Sequence, residues 1–392
     1  MGNPRLVGAS SRIHLFASST AWIEDAAVRQ LEQLANRRGI CAVAGMPDLH
    51  PGHHGPVGCA AEAESIVHAD IIGTDIGCGM QFWSLDLPER KLRLDKAAER
   101  LMALEGPWSG HAEARLEEAG LSAEGVAVSP YAGALGTIGG GNHFSEVQAV
   151  AEIVDADAAS AAGLEMGALG LLVHSGSRGF GAAVLAQHYH AGTDGLPLEE
   201  GGLAYLADHD RALAYARLNR QIIAERAMAA LRTEGVLRLD APHNLAERKG
   251  ARILHRKGAA PSDRGLVPVP GSRGAVTYLV APLEAPPEAL RSIAHGAGRK
   301  HDRGSMEKRV RTSPGDLERL ARNAFGGRVI CSDRQLLIEE APDAYKDIHK
   351  VVADLEAMNL VRVVAILRPL LTFKTARESR RIEPRRGWRG RR

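Results

Sequence analysis

Asp75 and Cys78 stand three residues apart in IIGTDIGCGMQFW, among glycines and apolar side chains with almost nothing else polar nearby. Similar stretches recur along the chain, each an apolar segment, then a histidine or acid, then a glycine turn. GMPDLHPGHHG carries Asp48, His50, His53 and His54, expected in a turn-rich loop after an apolar strand. GTIGGGNHFSEV carries Asn142, His143 and Glu146, and LLVHSGSRGFG puts His174 at a strand end. PHNLAERKG contributes His243, and SIAHGAGRKHDRG contributes His295 among small residues. One histidine at a strand end is more often a hydrogen-bonded structural residue than a ligand, and the glycines beside it can serve left-handed turns alone. Together these residues imply a shared cleft. Imidazoles, a carboxylate and one thiolate form a borderline-soft set able to hold Mn²⁺, Fe²⁺, Co²⁺ or Zn²⁺, and the thiolate can bridge two ions. Two ions about 4 Å apart are a standard clamp for phosphate oxygens.

The elements that must position these groups alternate along the chain. Residues 21–38 show Val28, Leu31 and Ala35 at helical spacing and stop at Gly39. A second helix is predicted over about 203–234 with Gly235 as its stop, and a third over APDAYKDIHKVVADLEAM. GALGLLVH, AVTYLVAP and LVRVVAILRPLLTFK read as buried strands. The pattern predicts an α+β fold over residues 1–374, one large domain whose mixed β-sheets form the core with helices outside. Of the 392 residues, 45% are hydrophobic and 24% charged, and no apolar run reaches a membrane-spanning length. The first residues lack the pattern of a secretion signal, so a cytoplasmic location is expected. Cys41, Cys59, Cys78 and Cys331 form no CxxC pair and are expected as free thiols. The net charge is only +2, yet the last 18 residues hold eight arginines against two glutamates, Arg385 and Arg386 among them. Residues 375–392 are therefore expected to be a disordered tail, either a solubilising terminus or an arm for phosphate backbones.

GMPDLHPG, GTDIGCGM, GTIGGGNHF followed by Glu146, HSGSRG, HN, RKGA, PGSRG and HGAGR occur in the order, and at about the separations, of the RtcB family of RNA ligases, which the chain resembles from about residue 20 to Lys374. The resemblance implies a central metal cleft and a GTP- and Mn²⁺-dependent enzyme. Such an enzyme joins an RNA 3′-phosphate or 2′,3′-cyclic phosphate to a 5′-hydroxyl end, in tRNA splicing or RNA repair. It implies two Mn²⁺ ions, one on Cys78, His143 and His174, the other on Asp75, Cys78 and His243, with Cys78 bridging. His295 becomes the nucleophile toward the α-phosphate of GTP. Asn142, Phe144, Glu146, Ser272, Gly296, Gly298 and Lys374 are implied around the nucleotide, with Arg178, Arg299, Arg385 and Arg386 as weaker RNA contacts. Glu146 can accept from guanine N1 and N2 while Lys374 donates to O6, which would favour GTP over ATP. The resemblance extends to a shorter bacterial branch that repairs RNA alongside a release-factor-like protein. An archease-like activator is a second partner it brings into view, and a monomer is expected.

Three departures from the family pattern stand out. His53-His54 replaces a usual lysine-glycine pair, exchanging a permanent cation for groups neutral near pH 7. Arg273 stands where methionine is common and would add fixed charge near the nucleotide pocket. The arginine tail continues past Lys374. Two other classes use similar groups: a binuclear metal phosphatase or nuclease, which needs no nucleotide on histidine, and a catalytically inactive RNA-binding protein on a ligase scaffold.

Overall fold

The thirteen-residue strand Val361–Phe373 is the backbone on which the larger sheet is built. Its near-continuous apolar run suits a strand covered on both faces, and Pro369, which cannot donate to a ladder, falls at a register shift. The computed structural model describes residues 5–6, 12–121, 125–190, 192–311 and 313–375, so most of the arginine-rich segment, with Arg385 and Arg386, lies outside the described residues.

Among those residues two mixed sheets carry the fold. In chain order their strands are β1 (Arg5–Leu6), β2 (Ile13–Leu15), β3 (Ile40–His50), β4 (Val57–Glu64), β5 (Gly79–Pro88), β6 (Phe144–Ile153) and β7 (Ala168–Ser175), then β8 (Gly235–Pro242), β9 (Asn244–Lys249), β10 (Arg252–Lys257), β11 (Val267–Pro270), β12 (Thr277–Pro282), β13 (Arg328–Ile330) and β14 (Val361–Phe373). The first sheet runs β1-β2-β3-β4-β10-β9; the second runs β8-β5-β7-β6-β14-β12-β11, with β13 parallel to β14. Ala44 and Met46 from the first sheet share one core with Val267, Val280 and Val363 from the second. This is the mixed single domain the pattern predicts.

The helices named here are α1 (Asp25–Ala35), α2 (Leu94–Leu101), α3 (Arg178–His188), α4 (Leu203–Leu231), α5 (Arg303–Arg309), α6 (Arg334–Glu339) and α7 (Ile348–Ala357). The first helix, expected over 21–38, spans only Asp25–Ala35, and two further boundaries differ from the sequence reading. α4 stops at Leu231, where Arg232 turns left-handed at φ 60°, and Gly235 begins β8 instead of ending the helix. The expected helix over 341–358 begins only at Ile348: Asp347 caps it by accepting from the His349 amide, and Lys346 turns away to the Pro47 and Leu49 carbonyls.

α4, about 43 Å long at 1.5 Å per residue, is apolar on more than one side because it packs on both the second sheet and α3. Ile223, Ala227 and Leu231 meet Leu171 and Val173, while Tyr215 and Leu218 meet the Phe180 cluster. At its middle lie two buried polar neighbours, Asn219 and Arg220. Arg220 donates to Gly77 O at 2.6 Å, Ser175 O at 3.0 Å and Asp240 Oδ1 at 2.8 Å. Asn219 accepts from the Gly136 amide at 2.7 Å and donates to Thr137 O and Gly176 O, both at 3.2 Å. These contacts tie down the segments beside Cys78, His143, His174 and His243.

Replacing a buried guanidinium that serves two carbonyls and a carboxylate leaves all three without it. Arg220→Met is expected to cost about 3 kcal/mol, read as a lower urea midpoint at unchanged m, with Arg220→Lys recovering only part.

Candidate active site

Asp75 and Cys78 occupy the turn leading into β5, and His174 is the penultimate residue of β7. His143 ends the glycine loop immediately before β6, and His243 is the link between β8 and β9. The turns interlock closely: a Cβ on Gly176 would overlap the Asp75 carboxylate, so only glycine fits after His174-Ser175. Asn244 adds another tie, donating to Asp75 O at 3.2 Å and accepting from the Gly258 amide at 2.8 Å.

Cys78 Sγ lies 3.3 Å from His143 Nε2 and 3.2 Å from His174 Nε2, and the three donor atoms fall within 4.8 Å of one another. Asp75 Oδ2 is 2.9 Å from His143 Nε2, and His243 Nε2 is 3.2 Å from His174 Nε2. His143 Nδ1 faces Ile138 O at 3.1 Å, and donating there turns its Nε2 toward the cluster. Burial first, and neighbouring imidazoles second, hold His174 and His243 well below the ordinary histidine range, so both are neutral at pH 7. Burial also pushes the Cys78 thiol up, reinforced by Asp75. For Asp75 burial acts upward too, but His143 and the Cys78 thiol outweigh it and hold the carboxyl below its usual range.

This donor set fits a metal. Neutral nitrogens 3.2 Å apart beside a thiol present more lone pairs than protons to share, and a borderline divalent cation satisfies nitrogen, sulfur and oxygen donors together.

His295 follows a short strand, Ser292–Ala294, and its ring centroid lies 4.5 Å from that of His243. Its Nδ1 is 2.7 Å from Asp48 Oδ2, which also accepts from the His295 amide at 3.3 Å. Asp48 thus accepts a hydrogen bond from Nδ1–H, which leaves the Nε2 lone pair free. Asp48 and His50 are not in a loop as the sequence suggested. β3 stays extended through both, although its pairing with β4 lapses between Gly45 and His50, and only the turn beyond is loop. Asp48 is fully buried, and its Oδ1 has no partner among the described residues. Gly298, at φ +70°, lets the HGAGR turn pack on Asp48: a Cβ there would overlap the Asp48 carbonyl.

A cleft of about 490 Å³ opens over these groups. Asn142, Phe144, Ser272, Gly296, Gly298 and Lys374 line it, as does His53 from the exposed turn. Phe144 stacks edge-on against His174 at 5.4 Å between centroids. At the far end burial pushes Glu146 up to about 7, against hydrogen bonds from Thr372 and Gln148. Burial pulls Lys374 down to about 8, and its ammonium donates to His143 O at 2.9 Å.

One arginine is used differently from the sequence reading. Arg273 does not present free charge to the cleft: its guanidinium donates to Leu337 O at 2.9 Å and Glu340 O at 2.5 Å, capping α6. Arg299 pairs with Glu340 at 3.0 Å and lies over the Tyr345 ring. Arg178, at the start of α3, reaches Thr137 Oγ1 at 3.2 Å and does not line the cleft. Asn219, Arg220, Asn244, Lys257 and Glu340 had not been singled out. Asn219, a polar residue on the helical stripe of Tyr215, Leu218 and Ile222, was the one available signal.

Comparison with known proteins supplies an independent view. The family model described as tRNA-splicing ligase RtcB matches residues 30–124 and 111–375. The chain is 44% identical over 375 residues to the RNA-splicing ligase RtcB2 of Escherichia coli, covering 94% of this chain and 97% of that one. It is 30% identical to the RNA-splicing ligase RtcB of Mycobacterium bovis, covering 87% and 99%. It is 29% identical to the tRNA-splicing ligase RtcB of Aeropyrum pernix, covering 83% and 86%.

Cobalt(II) titration tests the donor set directly. The wild type should develop a thiolate-to-metal charge-transfer band that Cys78→Ser abolishes. Because binding must displace the thiol proton, apparent affinity should fall as pH is lowered.

Proposed function

The chain belongs to the RtcB family, and on that premise we propose that it is an RNA ligase which uses GTP to join RNA 3′-phosphate or cyclic-phosphate ends to 5′-hydroxyl ends. The observation that carries this reading is His295: its Nδ1 is held by buried Asp48, and its ring lies beside His243 and the five-donor cluster. A hydrolase would need the cluster but not a histidine oriented in this way.

In this reading Cys78, His143 and His174 hold one Mn²⁺, and Asp75, Cys78 and His243 a second. When bound, the ions offset negative charge on phosphate oxygens and on the departing pyrophosphate. The Nε2 lone pair of His295 forms a bond to the α-phosphorus of GTP, and the bond from that phosphorus to pyrophosphate breaks. Asp48 retains its hydrogen bond at Nδ1 as the ring becomes cationic. The GMP group then passes from nitrogen to the RNA 3′-phosphate, giving that terminus a leaving group, and the 5′-hydroxyl attacks with expulsion of GMP. A cyclic end must first be opened by water. Asn142 lies where the phosphates would pass, and Phe144 and Ser272 flank the nucleoside.

Glu146 and Lys374 give the reading its base preference. An ionised Glu146 accepts from guanine N1 and N2 while Lys374 donates to O6; adenine reverses both polarities and leaves buried groups unpaired. Since Glu146 titrates near 7, the accepting form is lost as pH falls through that value. GTP affinity should then weaken below about pH 7 by up to tenfold per unit. Glu146→Gln should remove that pH dependence and cost on the order of 10- to 100-fold in affinity, measured as KM in the labelling reaction.

The deciding experiment is incubation with α-³²P-GTP and Mn²⁺ followed by a denaturing gel. Label that stays on the wild type, is released by acid and kept in alkali, and is absent from His295→Ala and Cys78→Ala is expected. A metal-loaded wild type that takes no label but releases phosphate from RNA ends would make the protein a hydrolase.

A further inference from the structure

A second concave feature lies at the other end of the second sheet. The groove between the turn Glu89–Lys91, α2 and the end of α4 has a volume of about 280 Å³ and is lined by Lys91, Arg93, Lys96, Arg100 and Arg232 over an apolar floor that includes Leu231. No acid lines it. None of the five cations has an ion pair among the described residues, whereas nearby Glu89 and Asp95 are taken by Arg368 and Arg328. The exposed acids Asp86, Glu99 and Glu234 lie on adjoining segments outside the lining.

Local structure does not account for these residue types. Arg232 holds a left-handed conformation at φ 60°, a position where glycine or asparagine is the usual choice. Arg93 and Lys96 sit at the cap and first turn of α2, where positive charge opposes the helix dipole. Five like charges around one groove repel one another, and a polyanion relieves both that repulsion and the unfavourable dipole placement.

We propose that this groove is a docking site for the phosphate backbone of the RNA substrate, well away from the ends being joined. The proposal rests on the RNA-ligase reading for its choice of polyanion. β5 runs from Met80, which lines the cleft, to Leu87, which lines the groove, a span of about 23 Å at 3.3 Å per residue. A stacked RNA strand advances about 3 Å per nucleotide, somewhat less than B-DNA, so an end seated in the cleft reaches the groove with about eight further nucleotides. Longer substrates use the groove and very short ones do not.

The test compares wild type with the combined Lys91→Gln, Arg93→Gln, Lys96→Gln variant, using fluorescent RNA of about 5 and about 30 nucleotides. Anisotropy is followed across salt concentrations, with urea midpoints as the fold control. The 30-mer should bind at least tenfold more weakly, with its log-log salt slope reduced by about two, while the 5-mer is unaffected. Arg232→Gly, which suits the left-handed backbone, should by itself lower the long-RNA slope by just under one. An unchanged slope, or equal losses for both lengths, overturns the proposal. Labelling by GTP uses no RNA and separates the two readings. Label formation with unchanged long-RNA binding in the variant sinks the groove alone. Groove-dependent binding without label sinks the ligase reading alone.

Discussion

Everything at the candidate active site depends on how the backbone around it is held, and that rests on Asn219 and Arg220. The donor residues come from segments as far apart as Asp75 and His243, on turns whose carbonyls have no ladder partner. Left unpaired, such buried groups would each carry a desolvation penalty and would let the turns drift. Arg220 meets Gly77 O, Ser175 O and Asp240 with one planar fork, a geometry that a lysine cannot match. The neighbouring asparagine fixes the glycine loop by the same logic. A helix packed on a sheet thereby becomes a jig for a site that no single element could build.

Rigidity there has a chemical purpose. Burial keeps His174 and His243 neutral and raises the thiol, so the cluster holds lone pairs close together with little net charge of its own. Such an arrangement is costly alone and favourable around a cation, which links metal binding to the stability of the site. Lys374 extends this coupling. Its ammonium donates to the carbonyl of His143, so a buried cation of the cleft is tied to the peptide unit of one donor in the cluster. A shift at either end is felt at the other.

The reactive groups were legible in the sequence because chemistry requires particular side chains beside glycine turns. Asp75, Cys78, His143, His174 and His243 converge, and His295 lies beside them. The supporting groups were less visible. Asn219, Arg220 and Arg273 act on main-chain carbonyls, which every residue carries, so no spacing pattern betrays the partner. Asp48 was noticed but assigned to a loop, since Pro47 and the glycines beyond it read as a turn while the strand in fact runs on to His50. The end of α4 was misplaced for a related reason: Gly235 looks like a stop, yet Arg232 takes the left-handed position.

The placement of positive charge separates two tasks. Around the cleft, cations are held by internal partners: Arg299 and Arg303 by Glu340, Lys257 by Ile72 O, Arg273 by the end of α6. Their positions are set before any ligand arrives, and groups fixed in this way avoid the electrostatic cost of reorganising. The groove beside α2 shows the opposite design, with solvent-facing cations that have no ion-pair partner among the described residues. That suits a ligand recognised by charge density instead of atomic position, an interaction that salt screens more strongly than contacts between buried partners. Arg273 shows why counting cations in a sequence cannot distinguish the two: its charge lies beside the cleft, but its donors are already occupied.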